Sequence, residues 1–223
     1  MITTVEGMAD LEESGPAGVT WYTREGDEGQ TRLGRHGVIP KTDVRVAAYC
    51  NCDEANSGVS VAMSVGGLPL DVTTTLASVQ NDMFDLVTDL TVPLDDPEPA
   101  DARIHASHIE RLERAIDHYG PEVRDLTGLV LPGGTIGASL LYQARCIVRR
   151  AELSVWAAME AYPSMVNPLA ATYLNRLSTL LFVLARAANE EHGDVLWVPE
   201  ASARAMAQEE HAAPADAPND GTA

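Results

Sequence analysis

Lysine is almost missing from this chain. Of 15 basic residues only Lys41 is a lysine, and 33 acidic residues bring the 223-residue sequence to a formal net charge of −18. So acidic a body repels nucleic-acid phosphates and anionic lipid surfaces, which excludes nonspecific binding to either. A polyphosphate ligand would need a local cluster of arginines to overcome the same field. Cysteine is also scarce. Cys50, Cys52 and Cys146 form no C-x-x-C pair and no four-ligand zinc set, so they read as free, half-buried thiols of a reducing cytoplasm. No N-terminal stretch is basic then apolar, and no apolar run reaches the roughly 18 residues of a membrane span. The expectation is a soluble, cytoplasmic protein without nucleic-acid or membrane partners. No credible strand run appears either.

What is present is helical periodicity between two acidic tails. Residues 1–20 carry four acids and no base and lack periodicity, as a flexible arm does, and residues 199–223 form a disordered tail of Ala, Pro and acids. Between them, helices are expected over 43–65, 70–92, 103–119, from Thr135 to a hinge at 164–168, and over 169–191, with DDPEPAD at 95–101 as a break. The first has Val44, Ala47, Ala48, Val59 and Val61 as apolar positions and Arg45, Tyr49, Asp53 and Asn56 as a polar seam. The second puts Leu76, Val79, Met83, Leu86 and Leu90 on one face and leaves Asp71, Asp82, Asp85 and Asp89 to water. In the fifth, Leu174, Leu177, Leu181 and Leu184 make the core stripe beside a row of Asn175, Thr179, Phe182 and Arg186. Five helices with short links predict an all-α antiparallel five-helix bundle. His105 and His108 stand three apart with no third ligand evident nearby, so they are expected to be surface histidines and no metal site is expected.

The fourth helix is the most informative. Pro132, Gly133 and Gly134 lead to Thr135, a suitable cap. Ala138, Tyr142, Arg145, Arg149 and Glu152 then share one face, and Leu141, Ala144, Val148, Ala151 and Val155 form the adjoining apolar stripe. Guanidinium groups one turn apart repel unless an anion lies between them or a surface or subunit contact pairs them. Upstream, Gly26 and Gly29 let backbone N–H groups converge, and Thr23, Thr31 and Gln30 add neutral donors, a combination suited to phosphate oxygens. Asn175 either satisfies a polar core contact or reads a nucleotide.

Five segments occur in order: YTRxGDxGQTRLG, RVAAYxxxDExNS, LPGGT, ARxxxRRAE and YLNRLSxLLFxLAR. Together they resemble the PduO-type corrinoid adenosyltransferases, which transfer the adenosyl group of ATP to cob(I)alamin. The resemblance runs from Trp21 to Val198 and implies one domain over 21–198. It implies a homotrimer with active sites between subunits, ATP, Mg2+ and cob(I)alamin as ligands, and an adenosylcobalamin-dependent enzyme as recipient. Nucleotide contacts are implied for Thr23, Arg24, Glu25, Gly26, Thr31, Arg32, Lys41, Glu152 and Asn175. Arg149 and Arg150 would stabilise the departing triphosphate, and Asp53 would pair with Arg145 of a neighbouring subunit. Leu129 would belong to the apolar wall that strips the corrinoid of its lower axial ligand. Five positions depart from the family pattern: Glu28 for lysine, Leu129 for phenylalanine, Tyr142 for histidine, Leu153 for arginine and Thr179 for aspartate. They leave a second expectation, a non-catalytic corrinoid- or nucleotide-binding carrier or sensor on the same fold.

Overall fold

The computed structural model describes residues 22–204. The arm over 1–20 and the tail beyond Arg204 lie outside them. The described chain is mostly helical, with α1 (Val44–Val65), α2 (Leu70–Leu90), α3 (Ala106–Tyr119), α4 (Ile136–Ala161) and α5 (Pro168–Ala187). The all-α bundle is as expected. A short antiparallel ribbon, β1 (Gln30–Arg32) and β2 (Val38–Pro40), precedes it and was not foreseen. Its strands are three residues each, too short for alternation to show in the sequence.

Caps set the helix limits. Asp43 accepts from the Arg45 N–H at the start of α1, Thr135 from Ala138 at α4, and Asn167 from Leu169 at α5, where Pro168 takes the first turn. The third helix begins three residues later than expected because His105 and His108 form a reciprocal capping box. Around the core the order is α2, α1, α4, α5 and α3, neighbours in that sequence packing on one another.

The α1–α4 seam is built from small residues. Ala48, Cys52, Ala55, Val59 and Ala62 meet Ala144, Val148, Ala151, Val155 and Ala158, all buried. Small side chains let helix axes approach closely. At one end a Cβ on Gly137 would stand 2.7 Å from the Gly66 carbonyl oxygen. Of the apolar positions expected on α1, Ala47 and Val61 are exposed, and Val46 and Cys52 take the buried places. Cys52 is therefore fully buried, its thiol pushed up to about 12 by burial, whereas Cys50 and Cys146 are exposed.

α5 is the most enclosed helix. Leu174, Leu177, Leu181 and Leu184 are buried as expected. Contrary to the sequence expectation, it is long and apolar enough to cross a membrane (20 residues, mean hydropathy 1.2), but 56% of that window is buried in the bundle, as befits a core helix.

Two of the four acids expected in water on α2 are buried. Asp89 receives Arg103 at 2.5 Å, the Ile104 N–H at 2.9 Å and the Asn167 amide at 2.7 Å. Asp82 receives the Tyr173 hydroxyl at 2.9 Å and pairs with Arg111. Their partners come from later elements, so an α2-only pattern could not reveal them. A buried carboxylate is tolerated when its lone pairs are met this fully.

Candidate active site

The face of α4 predicted from spacing is divided by packing. Arg145 and Glu152 are half-buried and Arg149 is exposed, so the charged row exists. Ala138 and Tyr142 do not join it, for both are buried against the bundle. The Tyr142 hydroxyl has no hydrogen-bond partner among the described residues, and burial raises its pKa. Its ring meets Phe182 edge-on at 6.1 Å.

α4 and α5 run antiparallel, and their contacts fix the register. The Asn175 amide donates to Glu152 Oε1 at 3.1 Å, and two turns away the Arg145 guanidinium lies 5.3 Å from the Phe182 ring. Arg149 falls between these rungs, opposite Ser178 and Thr179. Thr179 directs its hydroxyl back to the Asn175 carbonyl, so α5 offers Arg149 no carboxylate. Among the described residues Arg149 makes no hydrogen bond or ion pair. Arg176 donates to Asn175 Oδ1 at 2.8 Å, which fixes the amide with its nitrogen toward Glu152.

Arg150 behaves differently from Arg149. It leaves the row and pairs with Glu54 of α1, each about half exposed. Spacing alone had grouped it with Arg149, and the signal that separates them is the α1–α4 contact. Asp53, next to Glu54, is exposed and makes no ion pair among the described residues, and Arg145 likewise meets no carboxylate there.

The glycine-rich segment forms a tight loop ahead of the ribbon. Arg24, Gly26 and Gly29 all have positive φ, 63°, 84° and 82°, and Glu25 N–H bonds Thr23 Oγ1. A Cβ on Gly26 would lie 2.7 Å from the Gln30 carbonyl and 3.1 Å from Lys41 Nζ, so glycine is required there and the chain's only lysine stands over the loop. Thr23, Arg24, Glu25, Arg32 and Lys41 are exposed, and Gly26 and Thr31 are half-buried. A concentration of donors and three positive side chains at one place suits an anion.

The base of this arm is tied to the bundle. Arg45 makes a two-pronged contact with Asp43 at 3.0 and 2.8 Å and stacks on Tyr162, 3.9 Å from the ring centre, while the Tyr162 hydroxyl donates to Asp43. The Arg45 partnership holds the Asp43 carboxyl well below the usual carboxylate range. Arg45 also donates to His36 Nδ1, so the Nε2–H of His36 faces the Leu90 carbonyl. Arg45 thus serves the arm's attachment and not a seam with Asp53. By the rise of a helix, Tyr162 is about 20 Å from Arg149 along α4. No hydrogen bond or ion pair joins the arm to Arg145 or Arg149 among the described residues.

On the other flank, Leu129 precedes α4 in an extended segment. An antiparallel bridge joins Val130 to Leu196, with Leu131 N–H on the Val195 carbonyl at 2.8 Å and Trp197 N–H on the Leu129 carbonyl at 2.7 Å. Beside it an open cleft of about 210 Å³ is lined by Pro132, Gly133, Ser139, Tyr142, Gln143 and Cys146. Of the other departures from the family pattern, Glu28 and Leu153 are exposed.

His105, the cap of α3, is exposed as expected, whereas His108 is half-buried beside two acids. Asp82, Asp85 and His108 place ligand atoms within 4.8 Å of one another, so a third ligand does lie near. Arg111 and Tyr173 already occupy Asp82, and His108 Nδ1 accepts from the His105 N–H. These bonds describe a structural cluster.

Comparison with known proteins gives similar chains along most of this one. Residues 21–188 match the family described as Cobalamin adenosyltransferase. A corrinoid adenosyltransferase of Mycobacterium leprae is 47% identical over 182 residues, covering 80% of this chain and 95% of the relative. One of Bacillus subtilis is 38% identical over 175 residues, covering 77% and 88%. Among solved structures, a variant of the PduO-type ATP:corrinoid adenosyltransferase from Lactobacillus reuteri, complexed with cobalamin and ATP, superposes with a TM-score of 0.74 at 35% identity, covering 81% of this chain and 97% of that one.

Proposed function

The chain belongs to the cobalamin adenosyltransferase family, and from that premise we propose how its own residues serve the reaction. It is an ATP-dependent transferase that moves the 5′-deoxyadenosyl group of ATP to cob(I)alamin. Co(I) donates its electron pair to C5′, the C5′–oxygen bond breaks, and inorganic triphosphate leaves with that bond's electrons. The metal of the substrate is the nucleophile, so no protein base is needed. The protein's part is to align C5′ with cobalt and to stabilise charge growing on the leaving group.

Arg149 carries that second role. It is the guanidinium of the α4 row left without a partner among the described residues, in a chain whose net charge is −18. Glu152 and Asn175, already joined at 3.1 Å, hold the ribose and adenine end. Thr23, Arg24, Glu25, Gly26, Thr31, Arg32 and Lys41 wrap the phosphates, and Arg150 contributes charge from its pair with Glu54. Magnesium keeps water and phosphate oxygens as most of its ligands. The exposed carboxylate of Glu25 would be the protein group to hold such an ion, which would neutralise triphosphate charge.

The site is completed by a second subunit of a homotrimer. The arm is fastened about 20 Å from Arg149 along α4, and Asp53 and Arg145 each lack a carboxylate–guanidinium partner. A neighbour supplying the arm and Asp53 meets both needs, and the exposed Leu153 and Trp156 of α4 suit such a contact. The catalytic domain spans 21–198. Three free thiols fit a reducing cytoplasm, and the product passes to an adenosylcobalamin-dependent enzyme.

Anaerobic incubation with ATP and chemically reduced cobalamin tests the reading. The expected result is a light-sensitive cobalt–carbon product with equimolar triphosphate. Tight binding of both ligands without triphosphate release would instead make the chain a carrier or sensor.

A further inference from the structure

We infer that Arg35 is a positioning residue for the glycine-rich arm: it pins the far end of the ribbon to the acidic connector between α2 and α3, so that the loop at the near end meets ATP already oriented. This deepens the proposed function and rests on that loop holding the phosphates.

The connector is suited to be an anchor. Its sequence from Asp95 to Asp101 sets Pro97 and Pro99 on either side of Glu98, and each ring fixes its own φ and restricts the residue before it. Leu94 N–H bonds the Met165 carbonyl at 3.0 Å, which ties the start of the connector to the hinge after α4. Arg103, just past its end, donates back to the Val92 and Pro93 carbonyls at 3.2 and 2.8 Å, so start and end are fastened together. Asp96 closes it locally by accepting the Glu98 N–H at 3.0 Å. A segment this constrained holds its carbonyls in place with little entropy left to lose on contact.

Arg35 uses those carbonyls. From the turn between β1 and β2 its guanidinium donates to Asp96 Oδ1 at 3.1 Å, to the Glu98 carbonyl at 3.0 Å and to the Pro99 carbonyl at 3.1 Å. The planar fork reaches all three at once, which an ammonium group does not match. The Arg35 N–H bonds the Thr91 carbonyl at 2.9 Å, and a Cβ on Gly34 would stand 2.5 Å from the same oxygen, so the turn sits tightly on the end of α2. Among the described residues no other side chain of the ribbon bonds the connector.

The consequence is mechanical. Gln30 pairs with Pro40 and Arg32 with Val38, which puts the loop over 23–29 and Lys41 at one end of the ribbon and Arg35 at the other. Leu33 and Ile39 are buried beneath it against Val46. Strands of three residues fastened only near Asp43 could rock on that apolar contact, and a second fastening at the far end fixes their direction. Loss of the pin lowers the fraction of chains with the loop in place. Apparent affinity for ATP falls by that fraction, while a filled site still turns over.

The test uses the full chain with ATP and chemically reduced cobalamin under anaerobic conditions, with amide hydrogen exchange read in parallel. Arg35→Ala should raise the KM for ATP about threefold to tenfold, the span that a lost hydrogen bond carries, and leave the KM for cobalamin and the kcat at saturating ATP unchanged. The Leu33 and Lys41 amides, bonded to the Gly37 and Gly29 carbonyls, should exchange faster in the ATP-free variant and return to the rate of the unaltered chain with ATP bound. Arg35→Lys should fall between the two. Glu98→Ala should match the unaltered chain, because that contact uses the backbone. A KM for ATP that moves less than about twofold in Arg35→Ala would overturn the inference. A fall in kcat that tracks the melting temperature, with KM unmoved, would overturn it too, since Arg35 would then only support the fold. An unaltered chain that ATP fails to saturate would remove the functional reading itself, whereas a saturable chain with an unmoved KM in the variant removes this inference alone.

Discussion

Replacing Arg149 by alanine separates catalysis from stability. The guanidinium is exposed and makes no hydrogen bond or ion pair among the described residues, so the folded chain loses almost nothing by its removal. A surface substitution of this kind changes stability by at most about 0.5 kcal/mol, which for a domain of this size moves the melting temperature by roughly 1–2 °C. The reaction should respond far more strongly. A positioned donor facing charge that develops in the transition state is worth about 10²–10³ in rate. Arg149→Lys should recover only part of it, because an ammonium keeps the charge and loses the planar fork. The assay is anaerobic transfer from ATP to cob(I)alamin, followed by the absorbance of the cobalt–carbon product, beside a thermal melt. A rate loss below about tenfold would refute the leaving-group role. A melt that fell in proportion to the activity would refute it as well, since Arg149 would then be holding the fold together.

Three further outcomes follow from other parts of the fold. Asp89→Ala would leave Arg103 and Asn167 facing a buried gap and should cost about 3–5 kcal/mol, seen as a fall in melting temperature of roughly 6–20 °C; a smaller shift than that would mean the site admits water. Gly134→Ala would place a Cβ 2.0 Å from Asn189 Oδ1 at a φ of +104°, displacing the side chain that holds the Thr135 N–H; the unfolding free energy from a urea titration should drop by about 1–3 kcal/mol, and an unchanged value would show that the loop yields freely. His36 has its pKa lowered, first by burial and then by Arg45, with Asp43 and Asp95 acting the other way. A depressed histidine gives stability that is present above its unfolded value near 6.5 and lost as pH falls toward its lower native value. Melting temperature should therefore decline below about pH 6.5, and His36→Gln should flatten that part of the curve; identical slopes would remove His36 as the cause.

The bundle was legible in the sequence where burial repeats at helical spacing. The stripes on α2, α4 and α5 lie in the core as the pattern indicates, because a helix face needs only local order to be recognised. Asp82 and Asp89 sit at the same spacing as water-facing acids, yet Arg111, Tyr173, Arg103 and Asn167 reach them from later elements, and no window along α2 contains those partners. The same limit governs Arg150. Its neighbour in sequence is Arg149, but its neighbour in space is Glu54, 96 residues away. Tyr142 shows the cost of treating a face as uniform, since its position is polar by spacing yet buried where α4 packs on Phe182 of α5. The motif residues Arg145, Arg149, Glu152 and Asn175 fell in one row because two antiparallel helices carry them in register.

The cluster of Arg45, Asp43, Tyr162 and His36 acts as a fulcrum for the glycine-rich loop. It binds the cap and first turn of α1, the residue after α4 and the turn between the two strands into one joint. Any movement of the loop relative to the helices then falls on residues outside that joint, the left-handed Arg24, Gly26 and Gly29 among them. The helices therefore set where the loop is rooted, and the backbone torsions of the loop itself set where its tip lies.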